Sequence, residues 1–244
     1  MTVRALSQSE LLDLWDYGPV RSPVQRAMLL LAASCPGTSP ETLADLSIGH
    51  RDALLLTLRE LMFGPRLECF AICPGCNEQL ELAFNTADIQ VSDAEPAEAI
   101  LVESGDYQVS ARLPDSHDLV SLPAESPTDA RRSLFERCVL QAARRGESVS
   151  TTELPEEVVA AVADRMSQAD PIADIQFALT CPVCAHEWLE MFDIVSFLWS
   201  EINAGANRLL RDVNDLALAY GWREADILAM SPLRRQRYLE MIGG

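Results

Sequence analysis

Leu67-Glu68-Cys69-Phe70-Ala71-Ile72-Cys73-Pro74-Gly75-Cys76 and Ile175-Gln176-Phe177-Ala178-Leu179-Thr180-Cys181-Pro182-Val183-Cys184 are the stretches on which the reading of this chain turns. Each is followed by a second run, Gln79-Leu80-Glu81-Leu82-Ala83-Phe84 after the first and Trp188-Leu189-Glu190-Met191-Phe192 after the second. Each copy therefore reads as a strand, a Cys-Pro-x-Cys knuckle and a return strand, with Phe84 aligning to Phe192 and Asn85 to Asp193. Zinc imposes no geometry of its own and takes four soft ligands tetrahedrally, so a C-x-x-C turn supplies one edge of the tetrahedron. Proline after the first cysteine favours that turn. Cys73, Cys76, Cys181 and Cys184 are thus expected to hold one structural Zn²⁺, and the two halves to form a split zinc ribbon.

Two other readings of the cysteines stay open at this level: a redox dithiol and buried free thiols. A thioredoxin-like C-x-x-C opens a helix in a βαβ setting, whereas strand-like alternation flanks both pairs here. Disulfides fit poorly with seven cysteines and no secretory leader pattern. Cys69 on the first strand and Cys138 on an apolar helical face read as core thiols, and Cys35 closes a helix. A catalytic zinc keeps an open coordination position, which four cysteines would close. His186-Glu187 does not extend to H-E-x-x-H, because Glu190 stands at the second histidine position, and it follows the second knuckle where a base deaminase needs H-x-E before it. His186 therefore reads as a turn residue.

Composition narrows the function further. All 19 basic residues are arginine, which removes Schiff-base lysines, the phosphate-binding lysine of a P-loop and the kinase strand lysine. The three histidines, His50, His117 and His186, lie in no nucleophile motif, and neither G-x-S-x-G nor G-x-G-x-x-G occurs. The expected protein is not an enzyme and has no small-molecule substrate. A net charge of −18 opposes phosphate backbones, although Arg131-Arg132, Arg144-Arg145 and Arg234-Arg235 with Arg237 form small clusters, each on an expected helix. A zinc-ribbon module for nucleic acid or transcription is the alternative reading. No apolar run reaches membrane length, and with reduced cysteines and no leader pattern a cytoplasmic product is expected.

The expected fold is α+β and mainly helical. Residues 1–66 form an N-terminal helical region, 67–85 and 175–193 the split ribbon, 86–174 an insertion, and 194–244 a C-terminal helical region. Ser7-Gln8-Ser9-Glu10 is a capping box for a helix closed by Gly18; Ser22-Pro23 and Ser39-Pro40 open two more. Residues 49–63 read as a helix with Leu54, Leu55, Leu58, Leu61 and Met62 on its core side. In the insertion, residues 86–98 read as a loop, 100–103 and 107–113 as a hairpin, and 128–145 and 155–168 as helices. Beyond the second knuckle, Ile194, Phe197, Leu198, Ile202, Leu209, Val213 and Leu216 keep a 3.6-residue period up to Gly221. A short helix from Trp222 to Met230 and a last one opened by Ser231-Pro232 follow.

The run from Leu216 to Leu228, Leu-Ala-Leu-Ala-Tyr-Gly-Trp-Arg-Glu-Ala-Asp-Ile-Leu, and Ser231-Pro232-Leu233-Arg234-Arg235-Gln236-Arg237-Tyr238-Leu239 resemble the C-terminal end of baseplate proteins of contractile tails. Such proteins occur in phages with contractile tails and in phage-derived contractile injection systems. Gly49-His50-Arg51-Asp52 with Leu58-Arg59 and Phe63-Gly64, and Arg112-Leu113-Pro114 before His117-Asp118-Leu119, are similar too. The resemblance implies a baseplate or hub component, or a chaperone of hub assembly, with other baseplate or tail proteins as partners. Trp222, Arg234, Arg235, Arg237 and Tyr238 are the expected partner-binding residues, since aromatic and arginine side chains dominate interface energetics.

Overall fold

A computed structural model describes residues 1–89, 99–123 and 126–242. Its elements in chain order begin with α1 (Gln8–Tyr17), α2 (Pro23–Ser34), α3 (Pro40–Ala44) and α4 (Ile48–Phe63). The first hairpin, β1 (Arg66–Ile72) and β2 (Gln79–Asn85), leads into a single helical turn, α5 (Thr86–Ile89). Then come β3 (Ile100–Ser104), β4 (Tyr107–Ala111), α6 (Ser116–Val120), α7 (Pro127–Cys138), β5 (Val139–Arg144), β6 (Glu147–Ser148) and α8 (Glu156–Ala169). The second hairpin, β7 (Ile175–Thr180) and β8 (Glu187–Phe192), runs into α9 (Ile194–Tyr220), α10 (Glu224–Leu228) and α11 (Pro232–Ile242). The protein is α+β and mainly helical, as its sequence implies.

Capping explains why the helices begin where they do. Ser7, Ser22 and Ser39 each accept a hydrogen bond from the backbone N–H three residues on, and the Glu10 and Gln25 side chains accept one from the backbone N–H of Ser7 and Ser22 in turn. These bonds satisfy donors that a helix start leaves orphaned. Asp193 caps α9, whose 27 residues place Ile194, Leu198, Ile202, Ala206 and Leu209 in the main core. Opposite them lie Leu30 and Leu31 of α2 and Leu55 and Leu58 of α4, all fully buried. Leu61 departs from the expected core face of α4: it is exposed, and Leu56 takes a core position instead. Met62 and Phe63 in the same last turn pack against the core, so the turn itself stays on it.

Ionic joints lock this layer. Arg59 on α4 donates to both carboxylate oxygens of Glu201 on α9, at 2.8 and 2.7 Å, and to the Gly64 carbonyl at 2.7 Å. A forked, mostly buried arrangement of this kind fixes register as well as contributing energy. At the N-terminus of α4 the Gly49 N–H donates to Asp170 at 2.9 Å, and a Cβ on Gly49 would sit only 1.9 Å from that carboxylate. Only glycine permits the approach. Beside it Arg51 pairs with Asp52 (2.8 Å), and burial pushes the Asp52 carboxyl up to about 6 against the pull of that arginine.

Residues 99–169 build a second hydrophobic cluster of Ile100, Val109, Ala111, Ala142, Leu154, Val158 and Val162. Its sheet runs β3-β4-β5-β6, antiparallel throughout. Here the expected helix over residues 128–145 is corrected. It ends at Cys138, and Val139–Arg144 pair with β4, Val109 lying opposite Ala142. Gln, Ala and Arg favour a helix locally, but an open strand edge with a buried face outweighs so weak a preference. Arg144 and Arg145 therefore lie on a hairpin, not a helix: Arg144 lies over the Tyr107 ring and Arg145 pairs with Asp106 at 2.7 Å. The expected loop over 86–98 starts as the helical turn α5, and residues 90–98 lie outside the described residues.

Candidate metal centre

The two knuckles are built on the same backbone device. The Cys73 N–H donates to the Glu78 carbonyl (2.8 Å) and the Asn77 N–H to the Cys73 carbonyl (2.9 Å); Cys181 with His186 and Ala185 with Cys181 repeat both bonds at 2.9 Å. The fifth residue of each knuckle takes a left-handed conformation, with φ of 61° at Asn77 and 57° at Ala185. That residue turns the chain back into its return strand. Leu67 pairs with Phe84 in the first hairpin and Ile175 with Phe192 in the second. Phe84 and Phe192 thus hold equivalent positions, and with Phe177 they form a cluster with ring centroids 4.7 to 6.1 Å apart.

This packing brings the knuckles tip to tip. The Cys73 and Cys184 sulfurs are 3.6 Å apart, those of Cys76 and Cys181 are 3.5 Å apart, and all four lie within 4.8 Å of one another. At a zinc–sulfur distance of about 2.3 Å, the edge of a regular tetrahedron is about 3.8 Å. The spacing therefore suits one tetrahedral ion. Cys73 and Cys181 are buried while Cys76 and Cys184 face outward. The electrostatics also ask for a cation. Backbone N–H groups of Cys184 and Val183 lower the Cys181 thiol to about 7, against the effect of burial. The Glu78 N–H acts the same way on Cys76, but the Cys184 sulfur, burial, Cys181 and Cys73 outweigh it and push that thiol up to about 12. Four thiolates this close cannot all ionise without a compensating positive charge.

The two hairpins are the separate halves that the sequence implies. Each is its own two-stranded sheet, and side chains rather than strand hydrogen bonds join them. His186 lies against Gly75 of the opposite knuckle and stacks on Trp188, so it is a packing residue of the turn. Cys138 and Cys35 are buried thiols far from the cluster in sequence, and Cys69 is half-buried on the inner face of β1.

The expected partner-binding residues have mixed settings. Arg235 is 8% exposed and donates to Asp212 at 2.9 Å and to Gln8, so it ties α11 to α9 and α1 and offers little to a partner. Trp222 stacks on Tyr220 (4.5 Å) and meets Tyr238 edge-on (4.9 Å), which folds the C-terminal hook onto itself. Arg234 and Arg237 remain exposed, the latter paired with Glu240 at 3.0 Å.

The fold is thus a mainly helical protein in which four cysteines from two distant hairpins converge and could hold one metal ion. The particular family follows from comparison with known proteins. The family model of the T4 bacteriophage base plate protein matches residues 21–199, and the chain belongs to that family. The matched span includes both knuckles and ends in the second turn of α9. No curated protein and no solved structure matches the chain. Among the described residues, no helix is long and apolar enough to cross a membrane.

Proposed function

We propose that this chain is a non-enzymatic structural or assembly protein of a contractile-tail or injection-system baseplate, and that Cys73, Cys76, Cys181 and Cys184 hold one structural Zn²⁺. The family match across both knuckles carries the reading. The zinc assignment draws on the sulfur spacing and on the all-thiolate donor set, which selects soft, tetrahedral ions. In this role the ion joins residues 67–85 to 175–193, so that residues 86–174 leave and return as an insertion. Other baseplate or tail proteins are the partners, met in the bacterial cytoplasm as the particle assembles. Exposed Arg234 and Arg237 offer contacts on the outer side of α11.

The test is genetic and analytical. Deleting the gene is expected to leave contractile tails without baseplates by electron microscopy, and mass spectrometry of purified particles separates a resident subunit from an assembly factor. Normal tails from the deletion strain defeat the reading. Elemental analysis of the purified protein is expected to return about one zinc per chain.

A further inference from the structure

The four sulfurs of the cluster are not equivalent. Cys73 and Cys181, the first cysteine of each knuckle, are 0% and 1% exposed, whereas Cys76 and Cys184, the second, face solvent. The short sulfur contacts cross from one hairpin to the other: Cys73 meets Cys184 at 3.6 Å and Cys76 meets Cys181 at 3.5 Å. Each contact therefore joins one outward cysteine to the buried cysteine of the opposite knuckle. Elsewhere in the chain Cys35 and Cys138 are buried and Cys69 is half-buried. A dissolved oxidant thus reaches the thiols of this protein first at Cys76 and Cys184.

A two-electron oxidant of the peroxide class suits that arrangement. The outward sulfur attacks one oxygen of hydrogen peroxide; an S–O bond forms, the O–O bond breaks, and the hydroxide that leaves is protonated to water. The outward cysteine is now a sulfenic acid. The buried sulfur across the cluster then attacks it, so that an S–S bond forms, the S–O bond breaks and a second hydroxide leaves as water. Each disulfide consumes one peroxide and two protons, oxidises two thiolates and yields two waters. Because only a thiolate is a ligand, both bonds together strip the site of its donors and the ion departs hydrated.

We propose that the cluster is also an oxidation site, at which a peroxide replaces the ion with two disulfides, Cys73 to Cys184 and Cys76 to Cys181. The pairing decides the consequence. Bonds within each Cys-Pro-x-Cys turn would close two small loops and leave the hairpins unlinked, since no strand hydrogen bond joins them. Bonds across the cluster tie residues 67–85 to 175–193 covalently, and residues 86–174 still leave and return at the same place. The joint between the hairpins then outlasts its ion in oxidising surroundings. The inference takes its starting state from the proposed zinc site.

The experiment treats the full-length, zinc-loaded protein with a small excess of hydrogen peroxide, alkylates the remaining thiols and digests with trypsin without reduction. The chain has no lysine, so trypsin cuts around the cluster after Arg66, Arg112, Arg165 and Arg208, which puts the first knuckle in residues 67–112 and the second in residues 166–208. The expected product is these two peptides joined, lighter than their sum by two hydrogens per disulfide, with Cys69 alkylated and fragment ions assigning Cys73 to Cys184 and Cys76 to Cys181. Zinc should fall from about one per chain to none, and a chelator should no longer lower the melting temperature. A thiol reductant with added zinc should restore the starting protein. Two separate peptides with internal disulfides overturn the inference, as does any other pairing, or sulfinic acid at Cys76 and Cys184 without a link. If the untreated protein holds no zinc and the peptides still join in the expected pairs, the zinc reading falls and the oxidation site stands. If zinc is present and the peptides stay apart, the oxidation site falls and the zinc reading stands.

Discussion

The two knuckles share a backbone and differ in everything attached to it. Both use a Cys-Pro-x-Cys turn, the same pair of backbone hydrogen bonds and a left-handed fifth residue. The first hands the chain to the single turn α5, while the second hands it through Asp193 to the 27-residue α9, around which the main core is assembled. The first carries Gly75 at its tip, pressed against His186; the second carries Val183, 66% exposed. The two copies thus match in the cysteines and in the backbone that presents them. Beyond them each copy has taken the shape its surroundings impose.

The largest effects should respect the symmetry. On the proposed reading four cysteines share one ion, so Cys73→Ser and Cys181→Ser are each expected to abolish stoichiometric zinc and to lower the melting temperature alike. Structural zinc in small sites is worth on the order of 10 kcal/mol, and the two hairpins have no strand hydrogen bonds to hold them together without it. Chelator treatment of the wild type should reproduce both variants, and acidification should do so as protons displace the metal. Elemental analysis with calorimetry checks this; a large difference between the two cysteine variants would show that the halves are not equivalent. One tier down, symmetry begins to fail. Phe192→Ala removes ring contacts to Phe84, Phe177 and Phe197, whereas Phe84→Ala removes those to Phe177 and Phe192. Losses of about 2–4 kcal/mol are expected, with Phe192 the costlier by about 1 kcal/mol, measured by denaturant unfolding of the zinc-loaded protein.

How much of this was legible in the sequence follows the range of the forces involved. The convergence of the knuckles could be read because two Cys-Pro-x-Cys turns repeat fixed residue types at fixed spacing, and the caps of α1, α2 and α3 because their bonds span three residues. The helix α9 could be read because one buried stripe runs its whole length. What escaped depends on long-range neighbours. Val139–Arg144 is a strand only because β4 offers an edge, and Leu61 is exposed although Met62 and Phe63 beside it pack against the core. Arg235 reads like an interface arginine until Asp212 and Gln8 are found beside it.

Smaller predictions probe the tips. A Cβ on Gly75 would lie 3.2 Å from the His186 Cβ and 3.5 Å from the Cys184 sulfur. Gly75→Val should therefore displace His186 and cost about 1–3 kcal/mol, the usual range for overpacking. Val183→Gly at the equivalent, exposed position should cost well under 1 kcal/mol. Equal costs would mean that the tips do not interlock.

The weakest contrast lies at the left-handed residues, where the two copies solve one problem with different side chains. A left-handed conformation costs an ordinary residue about 1–2 kcal/mol, from which asparagine is partly excused by its short polar side chain. Ala185, with φ of 57°, has no such excuse. Glycine removes the strain but widens the unfolded ensemble by about 0.4–1 kcal/mol. For Ala185→Gly the first effect is the larger, and a gain of about 0.5 kcal/mol is expected; for Asn77→Gly the two nearly cancel. Paired melting curves of the zinc-loaded variants resolve the difference. An Ala185→Gly protein no more stable than the wild type would mean that the second knuckle relieves its turn in some other way, and that the two copies differ in backbone as well as in side chains.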